Sequence, residues 1–70
     1  MIKQNIKDWA ERLGYDTAYK FWKASGLNEQ TAYRLWDDSD HIPRKSVMVK
    51  LYQKFALQPN QYLYAIPDFD

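Results

Sequence analysis

Apolar residues recur along this chain at the spacing of amphipathic helices, and no stretch of useful length alternates as a strand would. One set occupies positions i, i+3, i+4 and i+7 of a helical face: Ile6, Trp9, Ala10 and Leu13. Side chains at this spacing lie on a single face of a helix. Gly14 follows, and glycine commonly ends a helix because it adopts the left-handed cap conformation freely. The pattern predicts a first helix that ends near this glycine.

A second and a third helix are predicted on either side of Gly26. Asp16 and Asn28 are their predicted N-caps, because a short polar side chain can accept a hydrogen bond from a free amide of the first turn. One face of the second helix consists of Ala18, Phe21, Trp22 and Ser25. The inward face of the third consists of Ala32, Leu35 and Trp36. The other face of the third helix is polar apart from one tyrosine ring and consists of Gln30, Tyr33, Arg34 and Asp37.

A fourth helix is predicted after a polar loop at 37–41. Pro43 fits its first turn, where the missing N–H costs nothing. Its apolar stripe consists of Val47, Met48, Leu51, Tyr52 and Phe55. A short fifth helix is expected over about 59–64, stopped by Pro67 and followed by a tail at 68–70. The expected fold class is therefore all-α, as one compact five-helix domain over residues 1–70.

Composition narrows the classes of function. The chain has 70 residues, of which 46% are apolar and 17% aromatic, and these values favour one folded domain over disorder. No apolar run is long enough to span a membrane, and the N-terminus has no signal-peptide core, so a cytoplasmic protein is expected. There is no cysteine and only one histidine. We therefore expect no metal site, no cofactor and no enzymatic activity.

Charge is distributed in alternating blocks along the chain. Residues 1–27 carry a net +2, residues 28–41 a net −3, residues 42–58 a net +4 and residues 59–70 a net −2. Such alternation indicates local charged faces rather than one basic tail. The overall charge of +1 is low for a strong nucleic-acid binder.

The short joint between the second and third helices has the pattern of a helix-turn-helix unit over about 17–37. A sharp turn between two helices needs a positive φ, which Gly26 supplies at no steric cost. An apolar residue, Leu27, follows to plug the joint, and Ala32 and Leu35 are spaced to seat the third helix. These positions predict a third helix with one face left free.

With these residues in place, 19–36 resembles the helix-turn-helix of the lambda-repressor/Cro-type (Xre-like) family of DNA-binding proteins. The resemblance covers roughly residues 5–65, because the segment from Ile42 and the segment 57–63 are similar to the closing helices of that family. Two positions depart from the family pattern. Trp22 stands where the family has a small alanine, and Ala32 stands where it has valine or isoleucine, an exchange that can conserve volume.

The resemblance implies that the third helix enters the major groove of double-stranded DNA, as in a bacterial or phage transcriptional regulator. Base contacts are then expected from Asn28, Glu29, Gln30, Tyr33 and Arg34. Phosphate contacts are expected from Lys20, Lys23, Arg44, Lys45 and Ser46. Acidic residues at 37–40 would repel phosphates, so Asp38 and Asp40 are expected to point away from the duplex.

Such regulators usually dimerise, so a homodimer is expected, formed through the C-terminal segment at about 59–70. The dimer contact would use Tyr62, Tyr64, Ile66 and Phe69, although these apolar residues could equally close the core. Two other functions stay open. The chain could be an antitoxin-type regulator that also binds a partner protein through 37–40 or 62–69. It could also be a protein-interaction module that has a helix-turn-helix scaffold but no longer binds DNA. The net charge of −3 over residues 28–41 is the feature that supports this alternative.

Overall fold

Residues 1–67, the part of the chain that the computed structural model describes, form five helices and one two-stranded sheet. In chain order the elements are β1 Ile2–Gln4, α1 Ile6–Arg12, α2 Ala18–Ser25, α3 Glu29–Asp37, α4 Lys45–Phe55, α5 Pro59–Tyr62 and β2 Leu63–Ala65. The structure is mostly helical, which confirms the predicted all-α class in part. No helix formed by these residues combines the length and the apolar character that crossing a membrane requires.

The sheet corrects the all-α expectation. β1 and β2 pair antiparallel, with Ile2 opposite Ala65 and Gln4 opposite Leu63. Each strand has three residues, which is too short for an alternating pattern to show in the sequence. α5 accordingly ends at Tyr62, and the next residues extend to meet the N-terminus.

The core lies where α2 packs on α3 and α4, and where α1 packs on α3. Its buried apolar members are Ile6, Ala10, Phe21, Leu27, Ala32, Leu35, Leu51, Leu57 and Tyr62. The Phe21 ring stacks on Phe55 at 5.7 Å between centroids and lies 5.9 Å from Trp36. These contacts join α2, α3 and α4 around one aromatic cluster, which compensates for the limited core of a short chain.

Two predicted helix starts are corrected by the structure. α2 is capped by Thr17, whose Oγ1 accepts from the Lys20 amide at 3.1 Å, and not by Asp16. α4 begins one residue after its N-cap Arg44, so Pro43 precedes the first turn. The predicted cap of α3 is confirmed, since Asn28 Oδ1 accepts from the Thr31 amide at 2.8 Å.

The C-terminal end of α3 is held by a buried glutamine from β1. Gln4 Nε2 donates to the carbonyls of Leu35 and Asp38, both at 2.9 Å, and Gln4 Oε1 accepts from the Ile6 amide at 2.8 Å. The Gln4 amide also donates to the Ser39 carbonyl at 2.9 Å. One side chain therefore satisfies free backbone groups at the end of α3 and at the start of α1, the groups that helices leave unpaired.

Candidate functional site

The turn between α2 and α3 leaves a polar face of α3 exposed. Gly26 has φ +72° and turns the chain sharply. Leu27 is buried directly after it, and Ala32 and Leu35 are buried below. With these three residues facing the core, Gln30 and Arg34 on α3 remain exposed.

A groove of about 430 Å³ runs between this face of α3 and the first half of α4. We call it the cationic groove; its lining residues are Leu27, Asn28, Gln30, Thr31, Arg34, His41, Arg44, Ser46, Val47 and Lys50. Three of them carry a full positive charge and none carries a carboxylate. The groove combines fixed cations with amide and hydroxyl groups, and such a surface suits an anionic ligand.

Lys50 is a groove residue that the sequence reasoning did not select. Its Nζ donates to the Gly26 carbonyl at 3.2 Å, so the side chain reaches from α4 to the turn that precedes α3. The positive block at 42–58 contains Lys50, but the block alone does not show which of its four cations faces α3. That choice depends on how α4 packs.

The structure brings some of the predicted nucleic-acid contacts together and separates others. Five of them line the cationic groove: Asn28, Gln30, Arg34, Arg44 and Ser46. Five do not: Lys20, Lys23, Glu29, Tyr33 and Lys45. Glu29 and Lys45 are exposed at the first positions of α3 and α4, beside the groove rather than in its lining.

Lys20, Lys23 and Tyr33 contact side chains on α2 or just before it. Lys20 Nζ donates to Asp16 at 2.8 Å, and this hydrogen bond holds the pKa of the Asp16 carboxyl below its usual value. Lys23 Nζ lies 4.3 Å from the centre of the Trp22 ring. The half-buried Tyr33 ring packs against the same Trp22 at 6.3 Å, edge to face. Trp22 therefore fills the outer rim of the α2–α3 joint, while the small Ala32 is buried between the helices.

A second groove, of about 260 Å³, lies at the opposite end of α3. We call it the acidic groove; its lining residues are Gln4, Asn5, Lys7, Asp8, Leu35, Trp36, Asp37, Ser39 and Tyr64. The loop after α3 is held beside it, because Asp40 pairs with Lys3 at 3.1 Å and Asp38 Oδ1 accepts from the Asp40 amide at 2.9 Å. The carboxylates of 37–40 thus gather where β1 and α1 meet α3.

The residues predicted for a dimer contact are divided. Tyr62 is completely buried, so its ring belongs to the core, and its assignment to a dimer contact is corrected. Burial also raises the pKa of the Tyr62 hydroxyl. Tyr64 and Ile66 are exposed and remain available to a partner. Phe69 lies outside the described residues.

Fold and site together define a small, mostly helical protein with a cationic groove and an acidic groove at the two ends of one helix. No protein-family model matches the chain, and neither a curated protein nor a solved structure matches it significantly.

Proposed function

We propose that this protein is a helix-turn-helix transcriptional regulator of bacterial or phage type that binds double-stranded DNA. In this proposal α2, the turn at 26–28 and α3 form the helix-turn-helix unit over about 17–37. The N-terminal half of α3 enters the major groove, and the start of α4 contacts the phosphate backbone.

The composition of the cationic groove is the observation that carries the proposal. Arg34 from α3 and Arg44 and Lys50 from α4 line one concave surface with no carboxylate among them. Arginine binds phosphate through paired hydrogen bonds, and lysine binds it as a point charge. A groove built from these groups can follow a phosphate backbone.

The start of α4 strengthens the phosphate site. No side chain caps this helix and no acidic residue lies in its first turn. Its first backbone N–H groups therefore have no side-chain acceptor and lie beside Arg44 and Ser46, at the positive end of the helix dipole. A phosphate oxygen at this position would meet N–H donors, a hydroxyl and a guanidinium together.

Base contacts are assigned to the exposed polar side chains of α3. Among the described residues Arg34 forms no ion pair, although Asp37 and Asp38 lie three and four positions further along the chain. Its guanidinium is free to bind guanine O6 and N7, and Gln30 can bind adenine N6 and N7. The proposed base-reading surface also includes Asn28 and Glu29, at the start of α3, and Tyr33, one turn further along the helix.

Dimerisation would supply selectivity that one unit lacks. Two copies would bind half-sites about one helical turn, roughly 34 Å, apart. Tyr64 and Ile66 are the described residues that we propose for the dimer contact, because both are exposed apolar side chains in the C-terminal segment. The expected operator is partly palindromic.

A salt titration of DNA binding tests the proposal. Affinity for a random duplex should fall steeply with salt, as expected when about four phosphate contacts per subunit release counterions. Arg44→Ala should reduce the slope of log K against log salt by about one unit. Lys7→Ala removes one charge at the other end of α3 and serves as the matched control, with an unchanged slope. A flat salt response of the unmodified protein would refute the proposal.

Base reading is tested on sites selected from a random oligonucleotide pool. Arg34→Ala or Gln30→Ala should cost about 1–3 kcal/mol on the selected site and relax sequence preference at one position. Lys45→Ala should weaken selected and random DNA alike, because it lies at the helix start beside the phosphate path. Equal losses on both kinds of DNA for Arg34→Ala would contradict a base-reading role.

A further inference from the structure

His41 lines the cationic groove but has no role in the proposed function. It is the single histidine of the chain and lies in the loop between α3 and α4. Its backbone amide donates to the Asp38 carbonyl at 3.1 Å, and the buried Pro43 follows two residues later. These constraints on the backbone hold the half-buried His41 at the wall of the groove.

The imidazole of His41 has two ring nitrogens that no other group uses. Within residues 1–67 it forms neither a hydrogen bond nor an ion pair. The buried side-chain atoms without a partner are Asn5 Oδ1 and the Tyr62 hydroxyl oxygen, so both nitrogens of His41 reach solvent. Histidine side chains change charge between about pH 5 and pH 8. His41 can therefore add a fourth positive charge to the groove within that range.

The charged groups near His41 favour an incoming anion as its partner. Three cations share the groove lining, which are Arg34 from α3 and Arg44 and Lys50 from α4. The nearby carboxylates are engaged or face another surface. Asp40 pairs with Lys3 of β1 at 3.1 Å, Asp38 Oδ1 accepts from the Asp40 amide, and Asp37 at the end of α3 lines the acidic groove. The lining of the cationic groove itself contains no carboxylate that could pair with a protonated imidazole.

We propose that His41 is a phosphate-binding residue of the cationic groove and that its protonation strengthens DNA binding at mildly acidic pH. This inference rests on the proposed function, because the phosphate belongs to the DNA backbone. A phosphate favours the charged form of an imidazole that lies within about 4–6 Å, since opposite charges stabilise each other. Phosphate binding and proton binding are therefore linked, and each strengthens the other by the same factor. Affinity is highest where the imidazole is charged, and it falls as pH rises through the range in which the proton is lost.

The experiment is a salt titration of duplex binding by the full chain at about pH 5.5 and about pH 8, near the two ends of the histidine range. The slope of log K against log salt should be steeper by about one unit at the lower pH, as one further phosphate contact requires. At fixed salt, affinity should be about fivefold higher at the lower pH, the scale of one partly exposed ion pair. The Cε1–H proton NMR signal of the single histidine should also move when the duplex is added. An unmoved signal would place the imidazole away from the phosphates and contradict the inference.

Three variants separate a groove contact from a general effect of charge. His41→Gln cannot take up a proton, so its slope and its affinity should be the same at both pH values. His41→Lys carries a fixed charge and should keep the steeper slope at both. As a matched control, Tyr52→His is added to His41→Gln. Tyr52 is exposed two positions beyond Lys50, on roughly the opposite side of α4, so a titratable ring there should not restore the pH response.

The possible outcomes distinguish this inference from the proposed function. A salt response that is steep but identical at the two pH values overturns the role of His41 and leaves the DNA proposal standing. A flat response at both pH values refutes DNA binding itself. A pH response that His41→Gln keeps, or that Tyr52→His restores, assigns the effect to charge outside the groove and overturns the inference.

Discussion

The two ends of α3 differ in both how they are built and what charge they present. The N-terminal end depends on residues that are close in sequence, with Gly26 turning the chain, Leu27 plugging the joint and Asn28 capping the helix. The C-terminal end depends on Gln4, which reaches Leu35 and Asp38 across 31 and 34 residues of sequence. Contacts between sequence neighbours therefore fix the N-terminal end, which we call the local end, and long-range tertiary contacts fix the C-terminal end, which we call the tertiary end.

Electrostatics reinforces this difference. The cationic groove lies at the positive end of the α3 dipole, and the acidic groove lies at its negative end. Within α3 itself the charges are mixed, because Glu29 lies in the first turn and Arg34 in the last turn, where each complements the backbone charge. The two grooves therefore differ through the residues that other elements bring to each end of this nine-residue helix.

The largest expected effect on folding stability comes from breaking the tertiary end. Gln4→Ala leaves two carbonyls and one amide unpaired near the core, which should lower the free energy of unfolding by about 3 kcal/mol. Urea denaturation measures this change. Gln30→Ala is the matched control at the other end of α3, where the exposed side chain should matter by less than about 0.5 kcal/mol. Similar values for the two variants would show that Gln4 does not secure that end.

A smaller effect is expected from the local end. Gly26→Ala places a Cβ 3.5 Å from Lys54 Cε, an ordinary contact, so the cost comes from the positive φ of +72° and not from crowding. That strain should cost about 1–2 kcal/mol in thermal denaturation. Gly26→Asn should cost less, because asparagine tolerates the left-handed region better. An asparagine variant as unstable as the alanine variant would assign the cost to something other than backbone conformation.

The smallest effect on folding stability is expected at Tyr62. Its carbonyl accepts from the Asn5 amide at 2.9 Å, so this residue also takes part in the long-range contacts near the tertiary end. Its hydroxyl is buried without a partner, and burial raises its pKa above the value of about 10 for a solvated tyrosine. Above about pH 10 the unfolded chain releases this proton while the folded protein retains it, so the free energy of unfolding falls as pH rises further. Below about pH 10 both states keep the proton, and this group makes no contribution to the pH dependence.

Tyr62→Phe tests this assignment. It should change stability by less than about 0.5 kcal/mol at neutral pH, because the packing is kept and only an unpaired hydroxyl is lost. It should also reduce the loss of stability above about pH 10. Tyr52→Phe, at an exposed position on α4, is the control and should leave the pH profile unchanged. An identical alkaline profile for the unmodified protein and Tyr62→Phe would contradict the burial argument.

Prediction from the sequence succeeded where the signal was local and periodic. The helices, the turn at Gly26 and the Asn28 cap follow from spacing and from the backbone preferences of single residues. Thr17 and Asp16 are both good N-caps by residue type, and the sequence did not distinguish them; in the structure Thr17 caps α2 while Asp16 pairs with Lys20. Four of the predicted contact residues in the cationic groove lie at two helix starts, namely Asn28, Gln30, Arg44 and Ser46, and Arg34 lies one turn beyond Gln30 on the same face of α3.

The sequence by itself determined a mostly helical chain with a turn at Gly26 and an exposed polar face on the third helix, because these depend on neighbours within a few residues. Only the tertiary structure decided that β1 pairs with β2, that Gln4 holds the end of α3, that Lys50 faces the turn and that Tyr62 is buried. Each of these joins residues far apart in the chain, and their contact depends on how whole elements pack.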